Sequence, residues 1–230
     1  MRTIDLNFDG GEGFDDRALA PLVTTIHIAC GGHTGDDATM LSAVLLAREH
    51  GLSIGAHPSF PDRDGFGRRA LELAPSELLP EIEAQLLRLI EIAESEGMRV
   101  SQLKPHGALY HRVAKHDGLA YSLVEQIALI DRRLVMVGPP ASAFEAAARG
   151  HGMRYLREGY ADRRYLPDGS LVPRTEPDAL IRRPEEAAEQ ALELEVESIC
   201  VHGDTPGAGR IVAAVRDALM RANHRIAAPH

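Results

Sequence analysis

A chain of 230 residues that is 44% hydrophobic and 26% charged has the composition of a globular protein with a substantial core. Its formal net charge of −9 excludes a polyelectrolyte grip on nucleic acid. No apolar run approaches the roughly 20 residues of a membrane-spanning helix. Only 4% of the residues are aromatic and tryptophan is absent, so Leu, Ile, Val and Ala must carry the core.

Cys30 and Cys200 do not make a disulfide framework. Each adjoins an apolar run and reads as a small buried filler rather than a catalytic thiol. The opening Met-Arg-Thr-Ile-Asp enters a strand without an apolar signal segment, and the expected location is the reducing cytoplasm.

Taken in order, residues 3–8 read as a first strand ending in Asp9-Gly-Gly-Glu12-Gly, whose glycines let the chain turn sharply and present both acids together. A second strand, 23–29, ends at Cys30-Gly-Gly-His33, and helical spacing follows from Met40 to Arg48, with Gly51 as its stop. The third strand, 52–56, ends at His57-Pro58. A loop over 58–75, rich in Asp, Arg and Gly, is long enough to act as a lid or a site wall. Ile82, Leu86, Leu89, Ile90 and Ala93 mark the clearest helical face, closed by Gly97.

The fourth strand, 99–103, runs into Lys104-Pro-His106-Gly. A helix around Leu119–Ile130, a fifth strand at 134–137, an Ala-rich helix over 141–150 and a sixth strand at 153–156 follow. Pro184 with Glu185 and Glu186 opens a further helix, with proline at the first position and acids in the first turn. Residues 198–201 form the seventh strand, ending at His202-Gly-Asp204, and a last amphipathic helix carries Ile211, Val215 and Leu219.

Seven strands alternating with helices fit either a parallel barrel or an open doubly wound sheet. Reactive groups follow several different strands, which favours the barrel, because an open sheet concentrates its site at one switch point. Without an internal repeat or linker, residues 1–230 read as a single β/α barrel domain.

The residues able to do chemistry share this placement. His33, His57, His106 and His202 each follow a strand, unlike His50, His116, His151 and His224. Asp9 and Glu12 are an acid/base pair, metal ligands or turn-capping groups. Lys104, costly to bury unpaired, should face a carboxylate, an anionic substrate or a developing oxyanion. Asp162 and Arg163 can pin their loop as an ion pair, and Arg68 or Arg69 can clamp a carboxylate. No Cys-x-x-Cys or His-Glu-x-x-His occurs, so any metal would need Asp9, His33 and His57 assembled from separate strands. The glycines at 10–13 lack the Gly-Lys-Ser/Thr of a P-loop, and the Gly-x-Ser-x-Gly elbow of a serine hydrolase is absent.

The chain resembles the LamB/YcsF family through Asp5-Leu-Asn-Phe-Asp-Gly-Gly-Glu-Gly-Phe14, Ile28-Ala-Cys-Gly-Gly-His-Thr-Gly-Asp36, Gly55-Ala-His-Pro58 and Asp64-Gly-Phe-Gly-Arg-Arg69. The likeness continues through Lys104-Pro-His-Gly-Ala-Leu-Tyr110, Ala161-Asp-Arg-Arg-Tyr165, Asp168-Gly-Ser-Leu-Val-Pro-Arg174 and Cys200-Val-His-Gly-Asp204. It implies a distorted seven-stranded β/α barrel related to glycoside hydrolases and deacetylases. It also implies the A-subunit role in ATP-dependent 5-oxoprolinase, opening 5-oxo-L-proline to L-glutamate. ATP would be bound by the partner B and C subunits, which suits a chain without a nucleotide motif.

On that resemblance, Asp9 or Glu12 activates water and His57 or His106 relays protons. Lys104 and His202 stabilise charge on the carbonyl oxygen, Arg69 or Arg163 holds the substrate carboxylate, and His33, Asp162 and Asp204 complete the substrate site. The competing readings are a stand-alone metal-dependent amidohydrolase or deacetylase and a non-catalytic binding subunit. Three features depart from the family pattern: Gly32 stands where Phe is usual, His27 replaces Asn, and the stretch before Cys200 is short. Gly32, beside His33, is expected to alter the shape of the substrate site.

Overall fold

The computed structural model describes residues 1–228. Seven strands, β1 (Thr3–Gly10), β2 (Thr25–Ala29), β3 (Ser53–His57), β4 (Val100–Leu103), β5 (Val135–Gly138), β6 (Tyr155–Tyr160) and β7 (Ser198–Cys200), pair in parallel in chain order. Because β1 pairs with both β2 and β7, the ring closes, and the choice between barrel and open sheet falls to the barrel. Around it lie α1 (Asp16–Leu19), α2 (Asp37–His50), α3 (Pro75–Ser95), α4 (Gly107–Lys115), α5 (Asp117–Ile130), α6 (Ala143–Gly150), α7 (Pro184–Glu193) and α8 (Ala208–Arg221). A two-residue strand, β8 (Arg225–Ile226), pairs with Thr3 and Ile4 at the start of β1. No helix among the described residues is long and apolar enough to cross a membrane.

Strand alternation sets what lies on each side of the wall. In β1, Ile4, Leu6 and Phe8 belong to the large apolar cluster that also takes in the buried faces of the helices, together with Ile26, Ile54, Leu103, Met136 and Ile199. The intervening residues face one another across the barrel axis and are largely polar. Asn7 Nδ2 donates to Ser198 Oγ at 2.9 Å, and Gln102 Nε2 donates to Asp5 Oδ2 at 3.2 Å. His27 lies between Asn7 Oδ1 and Gln102 Oε1, at 3.2 and 3.0 Å. Its ring crosses β3 because position 55 is glycine, and a Cβ there would overlap the imidazole. β5 and β6 contribute a separate apolar group, Val135, Val137 and Leu156.

The ends of the helices follow local rules. Asp36 Oδ1 accepts from Thr39 N at 2.9 Å and starts α2, which Gly51 ends in the left-handed region at φ 66°. Proline at the first position opens both α3 and α7. The sequence did not reveal α4, which begins directly after His106. Gly107, at φ 53°, lies so close to the Gly67 carbonyl that a Cβ would collide with it, and Ala108 N donates to Gly67 O at 2.9 Å. This contact presses the 58–74 loop against the barrel mouth. The short stretch before β7 is the connection Leu194–Glu197, with Leu194 packed over Gly159.

Candidate active site

Parallel strands deliver their C-terminal ends to one rim, and there a cavity of 580 Å³ opens. Asp9, Glu12, His57, His106, Arg163 and His202 line it, so these residues, with Arg68 also singled out in the sequence, meet at one cavity. Tyr110, Tyr160, Arg68 and Arg174 line it as well.

The inner wall is a packed acid–imidazole cluster. His57 Nε2 is 3.4 Å from Asp9 Oδ2 and 3.9 Å from Glu12 Oε1. His106 Nδ1 is 3.0 Å from His57 Nε2 and 3.4 Å from Glu12 Oε1. His33 does not reach the cavity. Its Nε2 donates to Glu12 Oε1 at 2.9 Å and its ring stacks on His106 at 3.7 Å, which orients both groups from behind. Burial and the neighbouring His33 and His57 hold the His106 pKa well below the usual imidazole value, so the ring is neutral.

Lys104 is 1% exposed and absent from the cavity wall. Its ammonium group lies 2.6 Å from Asp9 Oδ1 and 3.1 Å from both Glu158 Oε1 and Asn7 Oδ1. The ammonium donates to Glu158, Asn7 and, at 3.5 Å, Cys200 Sγ, and holds Asp9 as an ion pair. The expected oxyanion-stabilising role is therefore corrected: Lys104 holds Asp9 from beneath. Burial would raise the Asp9 pKa, but His57 and Lys104 outweigh it and keep the carboxyl well below its ordinary range. Asp9 is thus an anion at neutral pH.

Across the cavity, His202 Nδ1 lies 3.0 Å from Asp162 Oδ1. Asp162 is fully buried and also accepts from His202 N at 3.1 Å and from Thr205 Oγ1 at 2.5 Å. Burial raises its pKa, yet His202 and these hydrogen bonds bring it below the ordinary value. An ionised Asp162 places the hydrogen on Nδ1 and leaves Nε2 as the free basic nitrogen. Tyr160 stacks on the ring at 4.9 Å and fixes its plane. Asp162 accordingly orients His202; it neither touches substrate space nor pairs with Arg163.

The arginines also depart from expectation. Arg69 turns away from the cavity, with Nε 2.8 Å from Asp62 Oδ1. Its neighbour Arg68 lines the wall, and Arg68 Nη2 and Arg174 Nη1 converge on Asp204 Oδ2 at 2.7 and 2.6 Å. Asp204 is thus a tie between the two wall loops rather than a substrate ligand. Arg163 is 5% exposed, donates to Val172 O at 2.7 Å and Ala179 O at 3.3 Å, and has no carboxylate within ion-pair distance among the described residues. A buried guanidinium on a cavity wall without an acid is ready for an anionic ligand. Tyr110, 5% exposed, makes no well-formed hydrogen bond through its hydroxyl. Burial raises its pKa well above normal, so it stays a donor.

Gly32 lies outside the cavity wall. A Cβ there would meet Ser59 and Gln85, whose side chain bonds both Ser59 N and Ser59 O at 3.0 and 2.9 Å. The space a larger residue would need is filled by this Gln85–Ser59 contact, which lies behind the cavity wall.

Among the described residues, two groups hold one donor atom from each member within 4.8 Å of the others: Glu12, His57 and His106, and Asp9, Cys200 and His202. The anticipated metal set of Asp9, His33 and His57 does not assemble, because His33 is committed to Glu12. The donor set that fits a metal is Glu12, His57 and His106. Backbone carbonyls take the second ring nitrogen of both imidazoles, at 2.7 Å for His57 Nδ1 to Lys104 O and 2.9 Å for His106 Nε2 to Phe66 O.

Fold and site together define a β/α barrel with an acid–imidazole centre at its mouth. The chain belongs to the LamB/YcsF family, whose profile matches residues 4–230. A relative from Symbiobacterium thermophilum, named as the A subunit of 5-oxoprolinase, is 39% identical over 251 aligned positions covering 100% of this chain and 96% of its own. The crystal structure of a lactam utilization protein from Thermus thermophilus superposes with a TM-score of 0.91 at 35% identity, covering 100% of both chains. A family 4 carbohydrate esterase from Streptomyces lividans shares the fold alone, with a TM-score of 0.54 at 12% identity over 97% of this chain and 91% of that one.

Proposed function

We propose that this chain is the ring-opening component, the A subunit, of a cytoplasmic ATP-dependent 5-oxoprolinase. In this reading it hydrolyses the lactam of 5-oxo-L-proline to L-glutamate, and two partner chains, the B and C subunits, bind ATP and activate the amide. The names carried by its full-length relatives support the substrate. The observation that carries the chemistry is the Asp162–His202 pair facing an acid-lined cavity that also holds the unpaired Arg163.

Arg163 binds the ring carboxylate by a charge-assisted hydrogen bond. His202 Nε2 takes a proton from water as its oxygen bonds to the lactam carbonyl carbon. Tyr110 donates to the carbonyl oxygen as negative charge develops there. The carbon–nitrogen bond then breaks, and the imidazolium of His202 returns the proton to the departing ring nitrogen. Asp9, fixed by Lys104, supplies the negative field that favours the imidazolium.

The test is L-glutamate formation from 5-oxo-L-proline by this chain mixed with its B and C partners. Turnover that needs ATP and all three chains supports the reading; no turnover in the complete mixture refutes it. A second reading, a metal-dependent amidohydrolase acting without partners, is favoured by the Glu12–His57–His106 group. It requires amide hydrolysis by this chain alone, without ATP.

A further inference from the structure

We infer that Glu12, His57 and His106 form a binding site for one divalent transition-metal ion of the zinc or cobalt kind. This goes beyond the ring-opening reading and does not depend on it. The backbone fixes where the ring hydrogens sit. His57 Nδ1 is 2.7 Å from Lys104 O, and His106 Nε2 is 2.9 Å from Phe66 O. A carbonyl oxygen only accepts, so each of these nitrogens carries a hydrogen. In neutral rings the remaining nitrogens, His57 Nε2 and His106 Nδ1, therefore present lone pairs, and they face each other at 3.0 Å.

Apart from a proton on one of these two nitrogens themselves, no group among the described residues supplies a donor between them. Glu12 Oε1 lies 3.4 Å from His106 Nδ1 and 3.9 Å from His57 Nε2, and Asp9 Oδ2 lies 3.4 Å from His57 Nε2. The hydrogen on His33 Nε2 is directed at Glu12 Oε1 from behind, at 2.9 Å. Electron-pair donors converging on one point repel unless a positive charge sits among them.

The spacing selects the charge. Ligands about 2.1 Å from a tetrahedral metal stand about 3.4 Å from one another. The three observed separations, 3.0, 3.4 and 3.9 Å, scatter around that edge length. Two imidazoles and one carboxylate are a ligand set of catalytic zinc sites, with the fourth position open. The orienting partners are also present: a carbonyl behind each histidine and His33 behind Glu12. All three ligands line the cavity, so the open position faces substrate space. When bound, such a metal acts as a Lewis acid towards a carbonyl oxygen.

The other candidate group, Asp9, Cys200 and His202, is less suited. Cys200 is fully buried, and burial together with Asp9 holds its thiol protonated, while Asp9 is already paired with Lys104 at 2.6 Å.

The test uses the full chain, stripped with a chelator and titrated with Co²⁺ and Zn²⁺, read by bound-metal stoichiometry, Co²⁺ visible absorption and thermal midpoint. The expected result is one equivalent bound, a tetrahedral-type cobalt spectrum and a raised midpoint. Glu12→Gln and His106→Ala should each weaken cobalt binding at least tenfold, whereas His202→Ala should leave it unchanged. Far-UV circular dichroism identifies folded variants, and Glu12→Gln serves if His106→Ala does not fold. No stoichiometric binding by the wild-type chain would overturn the inference and leave a shared proton between His57 and His106. Binding lost in His202→Ala but kept in Glu12→Gln would overturn it in favour of the other group.

Discussion

Replacing Lys104 with Met tests the placement of the buried charges. The ammonium is 2.6 Å from Asp9 and 3.1 Å from Glu158, and the side chains of the three groups are 1%, 5% and 0% exposed. Methionine fills similar volume but leaves two carboxylates buried without their cation. Removing one partner of a buried pair costs about 3–5 kcal/mol. At about 2–4 °C per kcal/mol for a chain of this size, the thermal midpoint of Lys104→Met should fall by roughly 6–20 °C. The sign with pH follows. Removing Lys104 takes away one of the charges that, with His57, hold the Asp9 carboxyl below its ordinary range, so Asp9 of the variant protonates at higher pH than in the wild type and the deficit grows as pH rises and shrinks in acid. Adding Glu158→Gln should recover part of the loss. Urea and thermal melts at pH 5 and pH 8 measure all of this. A loss under about 1 kcal/mol at pH 8 would refute the reasoning, because a lysine projecting into a solvated cavity would give a change of that small size.

Asp162→Asn removes the acceptor that fixes the His202 tautomer, and kcat for ring opening should fall about 10³–10⁴-fold with little change in KM; steady-state kinetics of the complete complex check it. Arg163→Gln removes a charged hydrogen bond worth about 1.5–3 kcal/mol, so KM for 5-oxo-L-proline should rise roughly 10- to 100-fold in the same assay. Asp16, which accepts from Gly11 N at 2.7 Å, has its pKa pushed up to about 6 by burial and, less strongly, by Glu12. An acid raised in the folded state lowers stability as pH rises from about 4 to 6. Asp16→Asn should remove that slope and be more stable than the wild type by about 1–2 kcal/mol at pH 8, after allowance for partial solvent screening. Denaturant titrations across that range decide it.

The alternation Ile4-Asp5-Leu6-Asn7-Phe8-Asp9 already contains the barrel wall, with apolar residues under the helices and polar ones on the axis. Motifs at successive strand ends likewise made the single cavity legible, because parallel strands in a closed ring bring those ends to one rim. The direction of an individual side chain was less accessible. Lys104 continues the inward parity of Gln102 and so points down the axis, although its position after a strand suggested the mouth. Asp162 and His202 are 40 residues apart, and only the pairing of β6 with β7 brings them together. Arg68 and Arg69 differ by one position in an aperiodic loop, where nothing in the sequence tells which one faces the cavity. Helix α4 escaped because its start depends on Gly67 docking against Gly107, a contact forty residues away in sequence.

The most direct measurement is a crystal structure of this chain with 5-oxo-L-proline bound. The ring carboxylate should lie on Arg163 and the lactam carbonyl between Tyr110 and His202 Nε2. A ligand seated elsewhere, or in this cavity with its carboxylate turned to the His57–His106 wall, would contradict the proposed chemistry.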